Sequence, residues 1–111
     1  MLECVTAADN AISLKYDVGT THTYVMYICP EAVDFGINVG AAEVGGKKSY
    51  YSDTFGSSPF VQMHEIGHNL YFFHSGEGDQ EYGDPSGVMG GRYDAIPREW
   101  GRMCLNAAKT W

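Results

Sequence analysis

Three of the four histidines of this 111-residue chain lie in one short stretch, HEIGHNLYFFH, as His64, His68 and His74. Residues four apart on a helix project side by side, so His64 and His68 can share one metal ion. Glu65 points beside such a metal rather than at it, which suits a general base acting on a metal-bound water molecule. Three imidazole ligands with one open position are typical of a catalytic zinc site rather than a structural one.

His74 can join the same metal only if the helix ends before it. Continued as a helix, the chain would place His74 about 9 Å above His68 and rotate it by about 120°. Asn69 tolerates a positive φ better than most residues, whereas a left-handed Tyr71 costs about 1–2 kcal/mol. We expect a left-handed residue at or near Tyr71, or an earlier turn around Asn69. A helix that runs unbroken through Phe73 would exclude His74 as a ligand.

Composition indicates one packed domain. Hydrophobic residues make up 44% of the chain and charged residues 19%, which favours a globule over disorder. The net charge of −7 argues against a nucleic-acid or anionic-membrane partner. No apolar run is long enough to span a bilayer, and the start MLECVTAADN lacks the pattern of a signal peptide. The oligomeric state and the pairing of the three cysteines stay open.

The positions of the turn residues and apolar residues predict the elements that must position the histidines. Ser58 and Pro59 are typical of a helix start, and that helix continues through the histidine segment. We predict a single α+β domain over residues 1–111. Its other expected elements are a helix at 3–14, a strand at His22–Cys29, a strand or edge at Phe35–Gly46, a polar loop KKSYYSDTFGSS, a long loop SGEGDQEYGDPSGVMGGRYD and a helix at Pro97–Lys109.

Four sequence blocks occur in order along the chain: VGAAEVGGKKSYY, HEIGHNL, EYGDPSGVMG and RMCLNAAKTW. Together they resemble the metzincin zinc metalloendopeptidases, whose pattern is H-E-x-x-H-x-x-G-x-x-H followed by a Met turn, and more narrowly the gametolysin family. The resemblance implies a metzincin-like zincin domain, with a small twisted sheet packed on the active-site helix, a long Met-turn loop and a C-terminal helix. It also implies a domain that is truncated at its N-terminal side.

The same resemblance implies a role for individual residues. His64, His68 and His74 match the ligands of Zn²⁺, Glu65 matches the general base, and Met89 matches the methionine that lies under the histidines. Hydrolysis of peptide bonds by a zinc-bound water that Glu65 activates is the implied reaction. The implied substrates are proteins or peptides, including matrix glycoproteins, and the implied location is extracellular or in the cell wall.

An extended substrate is expected to pair by β-addition with the Gly-rich edge segment. The candidate substrate-binding residues are Val39, Gly40, Ala41 and Ala42. Packing alone would explain this small-residue segment equally well. Some metzincins place a tyrosine two residues after the methionine, where this chain has Gly91. Tyr93 is a second candidate for that role, with a packing role as the better interpretation.

The sequence also leaves other functions open. Tyr71 stands where the metzincin pattern has Gly, and with the short chain this leaves a non-catalytic zinc-binding homologue or an inactive fragment as an alternative. A peptidase with a glutamate as third ligand would use Glu77, Glu81 or Glu99. The histidines of a purely structural fragment would be surface residues. The acidic residues Glu77, Asp79, Glu81 and Asp84 are interpreted as a solvated loop in preference to a calcium site.

Overall fold

The computed structural model describes residues 2–16, 24–30, 39–91 and 104–110. These residues form a small α+β architecture with a three-stranded sheet, which agrees with the predicted fold class. No helix in the described part is both long enough and apolar enough to cross a membrane. The elements in chain order are α1 (Leu2–Ser13), β1 (Val25–Cys29), β2 (Gly40–Ala42), β3 (Lys48–Ser52), α2 (Asp53–Gly56), α3 (Pro59–Asn69), a 3-10 helix (Val88–Gly90) and α4 (Ala107–Thr110).

The sheet is mixed, with strand order β1-β3-β2. The central strand β3 runs parallel to β1, with Tyr27 opposite Tyr50, and antiparallel to β2, with Gly40 opposite Tyr51. Among the described strands, β2 therefore has a partner on one side only. The predicted edge segment Phe35–Gly46 contains this strand, and its first four residues lie outside the described ranges.

Alternate side chains of β3 point to opposite faces of the sheet. Ser49 and Tyr51 are buried, and the Tyr51 hydroxyl donates a hydrogen bond to Ser49 Oγ over 3.1 Å. On the other face, the Tyr50 ring stacks on Tyr27 with ring centroids 5.5 Å apart. Each face carries its own hydrophobic cluster, so the sheet lies between two helical layers.

One cluster, here called the site core, joins β3 to α3 and to the 3-10 helix. It consists of Tyr51, Phe60, Val61, Val88 and Met89. The other cluster, here called the outer core, lies where α1 packs on the opposite face, and consists of Val5, Tyr27 and Cys29. The site core contains residues of α3, which carries the first two histidines, and of the 3-10 helix. Its packing therefore decides where these histidines lie.

The prediction for the start of α3 is confirmed. Ser58 precedes the helix in an extended conformation and Pro59 occupies its first turn. The helix ends at Asn69, so His74 lies beyond it. The buried positions of α3 recur at helical spacing and place the motif against the core. They are Phe60, Val61, His64, Glu65, Gly67, His68 and Asn69.

The prediction of a polar loop at KKSYYSDTFGSS is wrong. Lys48–Ser52 is the central strand β3, and Asp53–Gly56 is the short helix α2. One of its polar residues, Ser49, is buried in the strand, where its hydroxyl accepts a hydrogen bond from the Tyr51 hydroxyl. Hydrogen bonding to strands on both sides stabilises β3, and this pairing is not visible in the local sequence.

The helix predicted at Pro97–Lys109 is wrong at residues 104–106 and is found only from Ala107 onward among the described residues. Residues 97–103 lie outside the described ranges, Cys104–Asn106 are not helical, and α4 begins at Ala107. The carbonyl of Cys104 accepts a hydrogen bond from the Val88 amide over 3.0 Å, so the backbone there binds the 3-10 helix instead. The predicted helix at 3–14 is confirmed as α1. The strand predicted at His22–Cys29 is found from Val25 onward, with His22 outside the described residues.

Candidate metal centre

Helix α3 ends in a turn with two backbone hydrogen bonds. The Tyr71 amide donates to the His68 carbonyl and the Phe72 amide to the Gly67 carbonyl, each over 2.9 Å. This is a Schellman arrangement, in which the residue after the C-cap is left-handed. Tyr71 has that conformation, with φ of 68°. Of the two expected places for the turn, the one at Tyr71 is therefore confirmed, and the chain reverses direction before His74.

The hairpin between β2 and β3 packs against this turn. The Gly45 amide donates to the His68 carbonyl over 2.8 Å. A Cβ atom on Gly45 would lie 2.2 Å from Cε1 of the Tyr71 ring, and Gly45 itself has φ of 68°. The ring of Tyr71 thus lies directly over a glycine backbone. This contact offsets part of the strain of a left-handed tyrosine.

Asn69 attaches the same hairpin to the end of α3. Its side chain is buried, and Nδ2 donates to the carbonyls of Glu43 and Lys48 over 2.9 and 3.0 Å. These two carbonyls lie on either side of the hairpin turn. Asn69 therefore holds the hairpin in place and does not form the chain reversal itself.

The structure brings the three histidines together. One ring nitrogen from each of His64, His68 and His74 lies within 4.8 Å of the other two. The closest pair is Nε2 of His68 and Nε2 of His74, 3.1 Å apart. His64 and His68 come from one face of α3, and His74 returns to them through the turn at Tyr71.

Each imidazole has an oxygen atom opposite its Nδ1 atom. These oxygens belong to two backbone carbonyls and one carboxylate. Such oxygens can only accept a hydrogen bond, so the ring nitrogen opposite each of them is the donor. The pairs are His64 with the Val88 carbonyl at 2.9 Å, His68 with the Phe72 carbonyl at 2.8 Å, and His74 with Glu81 Oε1 at 2.5 Å. The proton of each neutral ring is therefore on Nδ1, and the lone pair is on Nε2.

This donor set fits a zinc ion. Zinc binds imidazole nitrogens at about 2.0–2.1 Å in tetrahedral geometry, so its ligand nitrogens stand about 3.3 Å apart. Lone pairs that face one another at 3.1 Å repel unless a cation or a proton lies between them. Hydrogen bonds from the other ring nitrogen to carbonyl or carboxylate oxygens are the usual support of metal-binding histidines. His64, His68 and His74 would hold the ion.

Burial favours the neutral form of two of the rings. Desolvation lowers the pKa of His64 to about 4, although its hydrogen bond to the Val88 carbonyl opposes the shift. Desolvation likewise lowers the pKa of His68, against the opposing effect of the Phe72 carbonyl. A neutral imidazole is the form that binds a metal.

Glu65 is buried beside strand β2. Its side chain is 1% exposed, and a Cβ atom on Gly40 would lie 2.9 Å from Glu65 Oε1. Only glycine at position 40 lets the strand pass this close to the carboxyl group. The predicted general base and the first strand residue of the predicted substrate-binding segment are therefore neighbours.

Met89 lies in the 3-10 helix against the inner face of α3. It is fully buried, and a Cβ atom on Gly67 would lie 2.5 Å from its Sδ atom. The adjacent residue Val88 supplies the carbonyl that orients His64. Met89 thus packs directly on the motif helix at Gly67, which lies between His64 and His68 in the sequence.

The sequence reasoning missed the roles of Glu81 and Tyr82. Glu81 contacts Nδ1 of His74, on the side of the ring away from the other histidines, so it is not one of the converging ligand atoms. The Tyr82 hydroxyl lies 2.9 Å from His74 Nε2, and burial raises the pKa of Tyr82, which keeps the hydroxyl protonated. Both residues belong to the block EYGDPSGVMG, whose resemblance was the available signal.

The other candidate ligands do not converge. Among the residues that the structure describes, the only group of three or more such side chains is the histidine cluster. The Asp84 carboxylate of the acidic loop accepts hydrogen bonds from Ser86 and Asn106. Glu99 and Tyr93 lie outside the described residues.

The cluster is open to solvent on one side. An open cleft of about 370 Å³ adjoins His74, and the His74 side chain is 21% exposed. His64 and His68 are buried, so the cluster meets solvent at His74. Three protein nitrogens leave a fourth position for an exchangeable ligand, as in catalytic metal sites. The cleft is lined by Phe73, His74, Gly76, Gly78, Asp79, Gln80 and Glu81.

Comparison with known proteins agrees with this site. Neither a curated protein nor a solved structure matches the chain significantly. The family described as gametolysin peptidase M11 matches residues 3–111, which includes the histidine motif and the loop that follows it. A match over almost the whole length shows that this chain belongs to the gametolysin peptidase M11 family.

Proposed function

We propose that this protein is a zinc-dependent endopeptidase in which Glu65 is the general base. The observation that carries the proposal is the convergence of one ring nitrogen from each of His64, His68 and His74, within 4.8 Å of one another, beside a buried carboxyl group and a sheet edge. Membership of a metallopeptidase family supports the same reaction class. The metzincin pattern of H-E-x-x-H, a third histidine and a methionine packed below α3 supports the finer assignment.

Zinc, when bound by the three histidines, polarises a carbonyl group and lowers the pKa of a water molecule towards about 7. The Glu65 carboxylate would take a proton from the attacking water and later pass it to the departing amine. Its burial supports this role, because electrostatic interactions are stronger in a desolvated site. Val88, Phe72 and Glu81 would hold the three rings in one orientation and one tautomer.

The substrate would bind as an extended chain along β2. This strand has an unpaired edge among the described strands, and it passes next to Glu65. Addition of a strand at such an edge uses main-chain hydrogen bonds, so a protein substrate of varied sequence can be accommodated. The small residues Gly40, Ala41 and Ala42, with Val39 before them, permit a close approach of the substrate backbone.

Family membership supports an extracellular or cell-wall location and a glycoprotein substrate. Both belong to the proposal. Hydrolysis of isolated matrix glycoproteins, compared with casein, would test the substrate class. A preference for the glycoprotein of at least several-fold in kcat/KM is the expected result.

The central test measures zinc content and peptide-bond hydrolysis in the same preparations. We expect one zinc ion per chain, cleavage of casein or gelatin, and loss of cleavage with a chelator. Glu65→Gln preserves the size of the buried side chain and should lower kcat by roughly 10²–10⁴-fold with zinc content unchanged. Glu77→Gln, in the exposed loop, is the matched control. If Glu65→Gln cleaves as fast as the parent, the assigned mechanism is wrong.

A non-catalytic zinc-binding homologue is the second candidate. The left-handed Tyr71, at a position where the metzincin pattern has Gly, is the observation that favours it. Stoichiometric zinc with no turnover on any of the substrates would select this alternative. Loss of zinc in His74→Ala would support three-histidine ligation under either function.

A further inference from the structure

Tyr82 contacts the metal-facing side of the histidine cluster. Its hydroxyl lies 2.9 Å from His74 Nε2. Because Nδ1 of His74 donates its proton to Glu81, Nε2 carries the lone pair and accepts the hydrogen bond from Tyr82. That lone pair is the one by which His74 would bind a metal. One lone pair cannot serve both, so metal binding must break this hydrogen bond.

The Tyr82 ring is held at the cluster by two imidazoles. Its centroid lies 4.1 Å from that of His74 and 6.4 Å from that of His64, with an angle of 25° between the planes of the Tyr82 and His64 rings. A ring packed in this way keeps its oxygen near the metal position after the hydrogen bond is broken. We infer that Tyr82 is a fourth side chain of the metal centre, and that its phenolic oxygen binds the ion in addition to the exchangeable water ligand, as a five-coordinate zinc allows.

The backbone on either side of Tyr82 is also anchored. The Gly83 amide donates to the Gln80 carbonyl over 3.1 Å, and the Asp84 amide donates to the Ser75 carbonyl over 3.0 Å. Ser75 in turn donates its amide hydrogen to the Met89 carbonyl over 2.9 Å. The loop is thus tied to the 3-10 helix, so the position of Tyr82 is set by the same element that orients His64.

Packing explains why this tyrosine precedes Met89 in the chain. At Gly91, two residues after Met89, an added Cβ atom would lie 2.2 Å from Cζ of Phe60. A tyrosine there would displace Phe60 from the site core. Among the described tyrosines, Tyr82 is the one whose hydroxyl contacts a histidine, and it reaches the cluster from the opposite end of the loop.

The ligand role has a spectroscopic test, with copper(II) and zinc(II) as the probes. A phenolate bound to copper(II) gives a charge-transfer absorption band in the visible region, which imidazole ligands do not give. On binding, the phenol proton is released to solvent. We expect the copper-loaded protein to show this band and copper-loaded Tyr82→Phe to lack it. We also expect the zinc dissociation constant of Tyr82→Phe to rise roughly 10-fold.

The control is Tyr16→Phe, which removes the hydroxyl of an exposed tyrosine just after α1 and should keep the band. Circular dichroism establishes that Tyr82→Phe folds; if it does not fold, the spectrum of the parent decides, because a parent without the band overturns the inference. The inference rests on the proposed metal centre. A parent that binds no metal overturns both, whereas stoichiometric zinc without the copper band, or a band that survives in Tyr82→Phe, overturns only the role of Tyr82.

Discussion

The two faces of the sheet differ in how deeply their side chains are buried and in which groups hydrogen-bond to their polar side chains. On the α3 face, the residues of the site core are 0–1% exposed, and His64 and Glu65 are buried among them. On the α1 face, the residues of the outer core are 5–8% exposed. The ion pair of that face, between Asp9 and Lys48, has side chains that are 33% and 35% exposed.

The partners differ as well. On the α3 face, backbone carbonyls of Val88 and Phe72 orient two of the imidazoles. On the α1 face, two side chains, Lys48 and Tyr27, donate to the Asp9 carboxylate. Backbone oxygens in a packed core are fixed by the fold, and a metal site needs ligands fixed in this way. The half-buried ion pair of Asp9 and Lys48 is partly screened by water and contributes to stability alone.

The largest expected effect is on the free energy of unfolding, when a buried side chain is shortened in one core or the other. Met89→Ala leaves a cavity below α3 and should lower the free energy of unfolding by about 2–5 kcal/mol. Val5→Ala on the other face removes about two methylene equivalents and should cost about 1.5 kcal/mol. Urea denaturation of both variants with chelator present measures the two values. Equal losses would contradict the inferred difference in packing, and Met89→Leu is the volume-conserving control.

The next prediction concerns the approach of β2 to Glu65. In Gly40→Ala, the added Cβ atom would lie 2.9 Å from Glu65 Oε1 and must displace the carboxyl group. We expect kcat to fall by roughly 10²-fold, because displacements of about 1 Å in an active site have effects of that size. Ala7→Ser adds one heavy atom on the exposed face of α1, away from the site, and should retain activity. Steady-state kinetics on a peptide substrate decides, and parental kcat in Gly40→Ala would exclude this contact from the mechanism.

A smaller effect is expected at the turn that returns His74. Tyr71→Gly removes the strain of a left-handed tyrosine, worth about 1–2 kcal/mol, but it loses the ring contact with Gly45 and adds backbone entropy to the unfolded chain. We expect a net stabilisation of up to about 1 kcal/mol. Tyr71→Ala keeps the strain and loses the ring contact with Gly45, so it should be less stable than the parent. A thermal melt in which the Gly variant is less stable than the Ala variant would refute the assignment of strain.

The smallest effect is expected for the ion pair on the α1 face. Asp9→Asn should cost about 0.2–1 kcal/mol at neutral pH, as for other exposed pairs. The hydrogen bond from Lys48, then that from Tyr27, lowers the pKa of Asp9 below its ordinary 3.8. The folded state therefore holds the carboxylate more strongly than the unfolded state does. The difference between parent and variant should be complete above pH 3.8 and should disappear as the pH falls through the lowered pKa. A difference that grows in acid would contradict this.

Much of the site could be predicted because it depends on residues that are close together in the sequence. The spacing of His64 and His68, the start at Ser58 and Pro59, and the need for a helix end before His74 all follow from helix geometry. The turn at Tyr71 was one of two expected places. Its selection over Asn69 depended on the hairpin, because Gly45 accommodates the Tyr71 ring and the Asn69 amide is used to bind Glu43 and Lys48.

The segments that were predicted wrongly depend on distant partners. Strand β3 has a polar sequence, and its identity follows from pairing with β1 and β2 on either side. The backbone at Cys104 is not helical as predicted, and its carbonyl accepts a hydrogen bond from Val88, sixteen residues earlier in the chain. Periodicity within one segment carries no information about such contacts, since they are decided by the path of the intervening loops.

The type and order of the chemical groups can be read from the chain: two histidines one helical turn apart, a glutamate beside them, a third histidine after a break and a methionine downstream. Which groups surround them depends on the folded arrangement. The carbonyls of Val88 and Phe72, the carboxylate of Glu81, the hydroxyl of Tyr82 and the backbone at Gly40 reach the site through packing. Helix geometry acts over a few residues, whereas these contacts require the sheet, the hairpin and the loop to close around the end of α3.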